Sequence, residues 1–353
     1  MSPLEQHFLT LVRSGLREQP AEDFPQVLPL LHWQAILDMA RKQTVTGLVF
    51  RGVGLLPDEV QVPDNIMFSL MMEAERIKRQ SALVSETAAE VCARFEAAGL
   101  HPVVLKGPEV ARLYPDPSLR ESGDIDLYFS PEEFEKACAV VRAEGRSLTP
   151  ASDGSVHYDW NGIDIDQHWQ YFDLHTRKGL PPVPSAEATL LMLSVHILKH
   201  CMGAGIGLRQ FCDMAAAYRS VPYDREKLLA CYKTTGTARW NRLLAAFLER
   251  YLGAATPYSA GSAQSSATDP VSPVTGAGEP LPDPDGLLAF VLAGGNFGHH
   301  DAAREKVLKE GGLHRKADTL LRFLRRLPFS LRYAPREWLG ELTALARGNL
   351  RPE

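Results

Sequence analysis

Two carboxylates one residue apart, Asp124 and Asp126 in the run Asp-Ile-Asp-Leu-Tyr-Phe, are the residues of this chain best placed to do chemistry. Residues i and i+2 of a strand point to the same face, so the pair can hold one divalent cation between them. Mg²⁺ binds through a few hard oxygen ligands together with substrate phosphates, and metal-assisted phosphoryl transfer is the chemistry that follows. A third carboxylate from a neighbouring strand would complete a two-metal site. Asp166 is the first choice for it and Asp164 the alternative.

Several elements must position these groups. Val103, Val104 and Leu105 form an apolar run bounded by Pro102 and Gly107, which reads as a buried strand. Lys106-Gly107 is then a turn of little bulk, and Pro108-Glu109 suits the first turn of a helix, expected to reach Tyr114 and to stop at Pro115 and Pro117. That turn and helix start offer backbone N–H groups to a triphosphate, with Lys106 as the charged phosphate contact. Arg120, just ahead of the acidic strand, either meets a phosphate or ties down the turn through Glu121 or Asp124. Downstream, Asn161-Gly162 between two alternating runs is a strong hairpin signal. In its second arm Asp164, Asp166 and His168 share one face, with Ile163 and Ile165 on the other. His168 either orients Asp166 or packs beside Trp169.

Taken together, Leu-Lys-Gly (105–107), Leu-Tyr-Pro-Asp-Pro-Ser-Leu-Arg (113–120), Asp-Ile-Asp-Leu (124–127) and Asp-x-His-Trp (166–169) resemble the uncharacterised nucleotidyltransferase family of the DNA polymerase beta superfamily. The resemblance covers roughly residues 25 to 220. The run Arg-x-Ser-x-Asp-Ile-Asp (120–126) is also similar to the nucleotidyltransferase toxins of abortive-infection systems. The resemblance implies an α+β fold, in which a small mixed-sheet palm is flanked by N-terminal and C-terminal helical regions. It also implies transfer of a nucleoside monophosphate from an NTP, with ATP the first to consider, using Mg²⁺ or Mn²⁺ held by Asp124, Asp126 and Asp166. The superfamily's Gly-Ser phosphate loop is absent, and Lys106-Gly107 stands in its place.

Bulk properties set outer bounds. The 353 residues suffice for two or three domains, and 45% hydrophobic with 23% charged residues is ordinary for a soluble globular chain. A net charge of -5 argues against a protein that coats nucleic acid generally. Five scattered cysteines without a C-x-x-C read as reduced thiols. With no signal peptide evident and no apolar run of membrane-spanning length, the cytoplasm is the expected location and no membrane partner is expected.

The expected organisation is an N-terminal helical region over 1–100, a nucleotidyltransferase palm over 101–175 and a helical domain over 176–252. A flexible linker over 253–285 and a basic helical segment over 286–353 follow. Helical spacing marks 4–18, 27–43, 44–56 and a long helix over 65–98. Ser130-Pro131-Glu132-Glu133 has the form of a capping box. In the helical domain Lys199 is a candidate triphosphate contact, and His196 and His200 stand one turn apart without further ligands. The resemblance also implies a basic residue followed by an Asp here, which Arg209 and Asp213 supply. The linker is rich in Ala, Gly, Ser, Thr and Pro. From Gly311 onward nine bases face four acids, with Phe323, Phe329, Tyr333 and Trp338 interleaved. That is either a surface for an anionic partner or the basic outer face of a helix pair. The functional readings are therefore an enzyme acting on a small molecule or protein, a toxin-like enzyme acting on RNA, and a nucleotide- or partner-binding pseudoenzyme.

Overall fold

The computed structural model describes residues 1–151, 153–203, 205–259, 282–295 and 326–346. These fall into two units: Met1–Arg41 with Val45–Tyr171, and Lys42–Thr44 with Phe172–Glu353.

The first unit opens with three helices, α1 (Pro3–Arg17), α2 (Leu30–Lys42) and α3 (Thr46–Val53). Its start was not foreseen in detail: Ser2 and Glu5 form a reciprocal capping box at α1. Helices α1 and α3 cross closely enough that a Cβ on Gly15 would overlap the Leu48 carbonyl, and one on Gly52 the Leu11 carbonyl. The long helix α4 (Asp64–Ala97) follows.

Five short strands then make one mixed sheet: β1 (Val103–Val104), β2 (Asp124–Tyr128), β3 (Thr149–Pro150), β4 (Val156–Trp160) and β5 (Ile163–His168), in the order β1-β2-β5-β4-β3. Only β2 and β5 run parallel. Helix α5 (Pro108–Ala111) is a single turn, shorter than the helix to Tyr114 expected from the sequence, and the chain reaches β2 through a 3-10 turn at Pro117–Leu119. Helix α6 (Pro131–Ala143) carries the crossover from β2.

Strand alternation gives the sheet two chemically distinct faces. Ile125, Leu127 and Phe129 with Ile163, Ile165, Val156, Tyr158 and Trp160 form the apolar face, buried under Val84, Ala88, Val91 and Phe95 of α4 and Phe134, Ala137 and Val141 of α6. One polar residue sits in this layer. Gln167 is fully buried, accepts from the Tyr158 hydroxyl at 3.3 Å and donates to Cys138 Sγ at 3.3 Å. The opposite face carries the carboxylates. The expected Ser130–Glu133 capping box does not form, because the Glu133 carboxylate turns to His101 Nδ1 at 2.7 Å instead of the cap backbone.

The second unit is helical: α7 (Ala186–Met202), α8 (Leu208–Ser220), α9 (Arg225–Thr235), α10 (Ala238–Phe247), α11 (Pro284–Gly294), and the helices Leu327–Tyr333 and Pro335–Ala346. Lys199 of α7 lies among carboxylates, with Nζ at 2.7 Å from Glu341, 3.3 Å from Glu337 and 3.8 Å from Asp173. Burial alone would raise the Glu341 pKa, but hydrogen bonding from His175 and the Lys199 charge bring it down to about 2. Phe329 and Tyr333 pack against each other, and Phe329 edge-on to Trp240, so these two aromatics of the C-terminal segment are packing residues. Most of the linker and the bases Arg315, Lys316, Arg322, Arg325, Arg347 and Arg351 lie outside the described residues, as does most of the Gly294–His300 stretch.

Two stability predictions follow from these contacts. Gly52→Ala should cost about 1–3 kcal/mol by overpacking against backbone, lowering the thermal midpoint by roughly 2–4 °C per kcal/mol. Gly54→Ala, whose Cβ meets only ordinary contacts, should leave the midpoint within about a degree or two. Glu341→Gln should weaken chemical stability near pH 6 by on the order of 2 kcal/mol. Since the folded pKa of Glu341 is depressed, its contribution is present above about 4.5 and lost as pH falls toward about 2. The gap between wild type and variant should therefore close over that window in denaturant titrations.

Candidate active site

The sheet register builds the site. Parallel pairing sets Asp124 beside Asp164, Asp126 beside Asp166, and Tyr128 beside His168. The hairpin turn that aims β5 has Asn161 at φ 56° and Gly162 at φ 80°, the positive-φ pair that the sequence signal requires. Across it, His157 of β4 stands opposite Asp166.

Asp126 is the buried centre, with a side chain 6% exposed. Lys106 Nζ donates to its Oδ1 at 2.7 Å, and His168 Nε2 lies 3.3 Å from the same oxygen. Burial by itself would raise the Asp126 pKa; the Lys106 ammonium and the His168 ring hold it well below the usual carboxylate range. Asp166 moves the other way. Burial and the neighbouring charges of Asp126 and Asp124 raise its pKa, while His157 and His168 oppose the rise. His157 Nδ1 bonds directly to Asp166 Oδ1. Two carboxylates on adjacent strands thus have affinities for protons pushed apart by their surroundings, a common arrangement where one stays ionised and the other handles a proton.

Lys106 reaches Asp126 because β1 pairs with β2 and Leu105 N–H donates to the Asp126 carbonyl at 2.9 Å. The next residue, Gly107, turns the chain at φ 59° and ψ −117°, and a Cβ there would press on the Asp124 carbonyl at 3.2 Å. Such a backbone is open to glycine and few others. Arg120, buried, holds that turn from behind: Nη1 donates to the Gly107 carbonyl at 3.3 Å and to Ser122 Oγ at 2.5 Å. Of the two sequence readings for Arg120, these bonds are those of the turn-tying one, through Gly107, Ser122 and, at 3.5 Å, the Glu121 carbonyl. The Glu121 carboxylate also accepts from the Thr46 N–H at the start of α3, at 3.0 Å.

Of the residues singled out from the sequence, Asp126, Asp166, Lys106, Gly107 and Arg120 come together here. Asp124 begins β2 on the same face but is exposed, and Asp164 is exposed too. Lys199 and Arg209 belong to the second unit, Lys199 in its carboxylate cluster and Arg209 with its N–H donating to the Gln43 carbonyl at 3.3 Å. His196 and His200 stack edge-on, ring centres 4.5 Å apart. Sequence reasoning did not place His157 in the site. Its position was available, because a two-residue hairpin loop fixes the cross-strand pairs back from the turn. Among the described residues one group could hold a metal ion: Asp126, Asp166 and His168, with one ligand atom from each lying within 4.8 Å of the others. Its donors, two carboxylate oxygens and an imidazole nitrogen, are chemically fit for a divalent cation. No helix among the described residues is long and apolar enough to cross a membrane.

Comparison with known proteins agrees with this chemistry. No curated protein matches the chain, and no solved structure matches it. A family model described as an uncharacterised nucleotidyltransferase matches residues 29–253, more than half of the chain and all of the sheet. The match gives no tie to the abortive-infection toxins, whose similarity rests on residues 120–126 alone. With the acidic strands, the Lys-Gly turn and the family match all in agreement, the chain belongs to the uncharacterised nucleotidyltransferase family.

Proposed function

We propose that the protein transfers a nucleoside monophosphate from an NTP, ATP being the first to test, to a hydroxyl-bearing acceptor. The observation that carries this reading is the placement of Asp126 directly beside Asp166 on parallel strands, with Lys106 from the adjoining turn bonded to Asp126. Divalent cations, Mg²⁺ or Mn²⁺, held by Asp126 and Asp166 with Asp124 at the strand start, would supply Lewis-acid charge to the phosphoryl group and acidify the acceptor hydroxyl.

The chain's own groups take the remaining roles. Asp166, with its raised pKa, is the carboxylate suited to accept the acceptor proton, and His157 bonded to it fixes its orientation. Lys106 has three donors on a flexible stem and can turn from Asp126 to a phosphate oxygen. Gly107 leaves the backbone at the turn unobstructed by a side chain, and Arg120 keeps that turn in place. The acceptor class, whether small molecule, protein or RNA, is to be found by screening with labelled NTP.

Calorimetric titration of the four NTPs, each with Mg²⁺ and with EDTA, tests the reading directly. Metal-dependent binding of at least one NTP is expected, and Asp126→Asn should abolish it. With an acceptor in hand, Asp126→Asn should lower transfer at least about a thousandfold, the scale of several kcal/mol of charge stabilisation. Its far-UV circular dichroism should be unchanged, since the amide still accepts from Lys106. No NTP binding by the wild type would defeat the proposal. Arg120→Met should reduce kcat/KM by about a hundredfold, the usual scale of an ångström of misplacement, without removing metal binding.

A further inference from the structure

We propose that His168 is itself a metal ligand, and that the principal ion of this site is therefore a transition-metal dication in preference to Mg²⁺. The inference rests on the nucleotidyltransferase reading of the site and specifies its ion. Asp124, Asp126 and Asp166 would make an all-oxygen set, but the group that lies together is Asp126, Asp166 and His168. Asp124 sits exposed at the first residue of β2. His168 follows Asp166 by two residues on one strand face, so the backbone delivers its ring to the same side of the sheet as the carboxylates.

His168 shares its carboxylate partner with Lys106. Asp126 Oδ1 already receives the Lys106 ammonium at 2.7 Å, while His168 Nε2 stands 3.3 Å from that oxygen. Charge-assisted hydrogen bonds of this kind close to about 2.7–2.9 Å, so the ring is aimed at the carboxylates without being drawn into a short bond. With one ligand atom from each residue within 4.8 Å of the others, modest side-chain rotations bring all three onto one ion. Carboxylate and water suit Mg²⁺ and Mn²⁺, whereas imidazole suits Fe²⁺, Ni²⁺ and Zn²⁺, and affinity for a mixed set rises along the series from Mn²⁺. His157, bonded to Asp166, acts behind that ligand as an orienting partner.

The test uses the full-length protein and Mn²⁺ alone as probe. Loss of the free Mn²⁺ signal in electron paramagnetic resonance gives binding, Mg²⁺ competition gives preference, and pulsed measurements of nitrogen-14 modulation report whether a ring nitrogen is bound. Expected are binding that Mg²⁺ displaces only in about tenfold excess or more, and nitrogen modulation in the wild type. His168→Gln should remove the modulation and weaken Mn²⁺ at least about tenfold, while His157→Gln keeps the modulation. Mn²⁺ binding without modulation, modulation lost in His157→Gln but kept in His168→Gln, or equal competition by Mg²⁺ would overturn the assignment and leave the nucleotidyltransferase reading standing. No Mn²⁺ binding by the wild type, with or without ATP, would overturn both.

Discussion

Strand β2 runs parallel to β5 with Asp126 directly beside Asp166, and the acidic cluster of the molecule depends on that register. Side chains alternate between sheet faces, so a slip of one residue would turn Ile125 or Leu127 outward and a carboxylate into the apolar layer. That layer is the core shared by α4, α6 and the sheet. The hydrophobic contacts on one face thereby fix the acidic cluster on the other. The long helix α4 contributes to the site in this sense through its apolar face, and through Glu90, which accepts from Trp160 and Asn161 at the hairpin.

The cluster itself is an electrostatic compromise. Burying a carboxylate is costly unless it is paired and hydrogen-bonded, and Asp126 is kept ionised by Lys106 and His168. Asp166 receives weaker compensation, from His157 and His168, and its proton affinity rises. The same two residue types thus become chemically different through a few ångströms of environment. The Lys-Gly turn is part of that environment. Leu105 pairs into the sheet, Gly107 adopts a backbone closed to most side chains, and Arg120 bonds the turn from the protein side.

Much of this was legible in the sequence because the governing signals are local. The alternation in Asp-Ile-Asp-Leu and Ile-Asp-Ile-Asp assigned faces, and Asn161-Gly162 assigned the hairpin. Pro and Gly marked the ends of α4 and α6. What escaped depended on competition between partners. The Ser130–Glu133 box looked sound in isolation, but His101 is distant in sequence and claims the glutamate. Lys199 read as a possible phosphate contact because its three carboxylates come from residues up to 142 positions away. Asp124 looked equivalent to Asp126 by spacing, yet it sits at the strand's open end while Asp126 lies beneath Lys106. His157 was overlooked even though its pairing with Asp166 could have been counted back from the turn.

The buried amide of Gln167 has a consequence beyond its own two hydrogen bonds. It lies between Asp166 and His168 in β5 and points to the opposite side, into the layer beneath the sheet, where Tyr158 and Cys138 meet it. A two-residue slip of β5, which leaves the faces unchanged, would part that amide from Tyr158 and Cys138 and leave it unmet in the apolar layer, at a penalty of about 1–3 kcal/mol for an unmet buried polar group. Gln167 therefore acts as a proofreading device for assembly. It adds little to the stability of the correct arrangement, but it makes a shifted one expensive, and so keeps its two flanking residues in register with Asp126 and Tyr128.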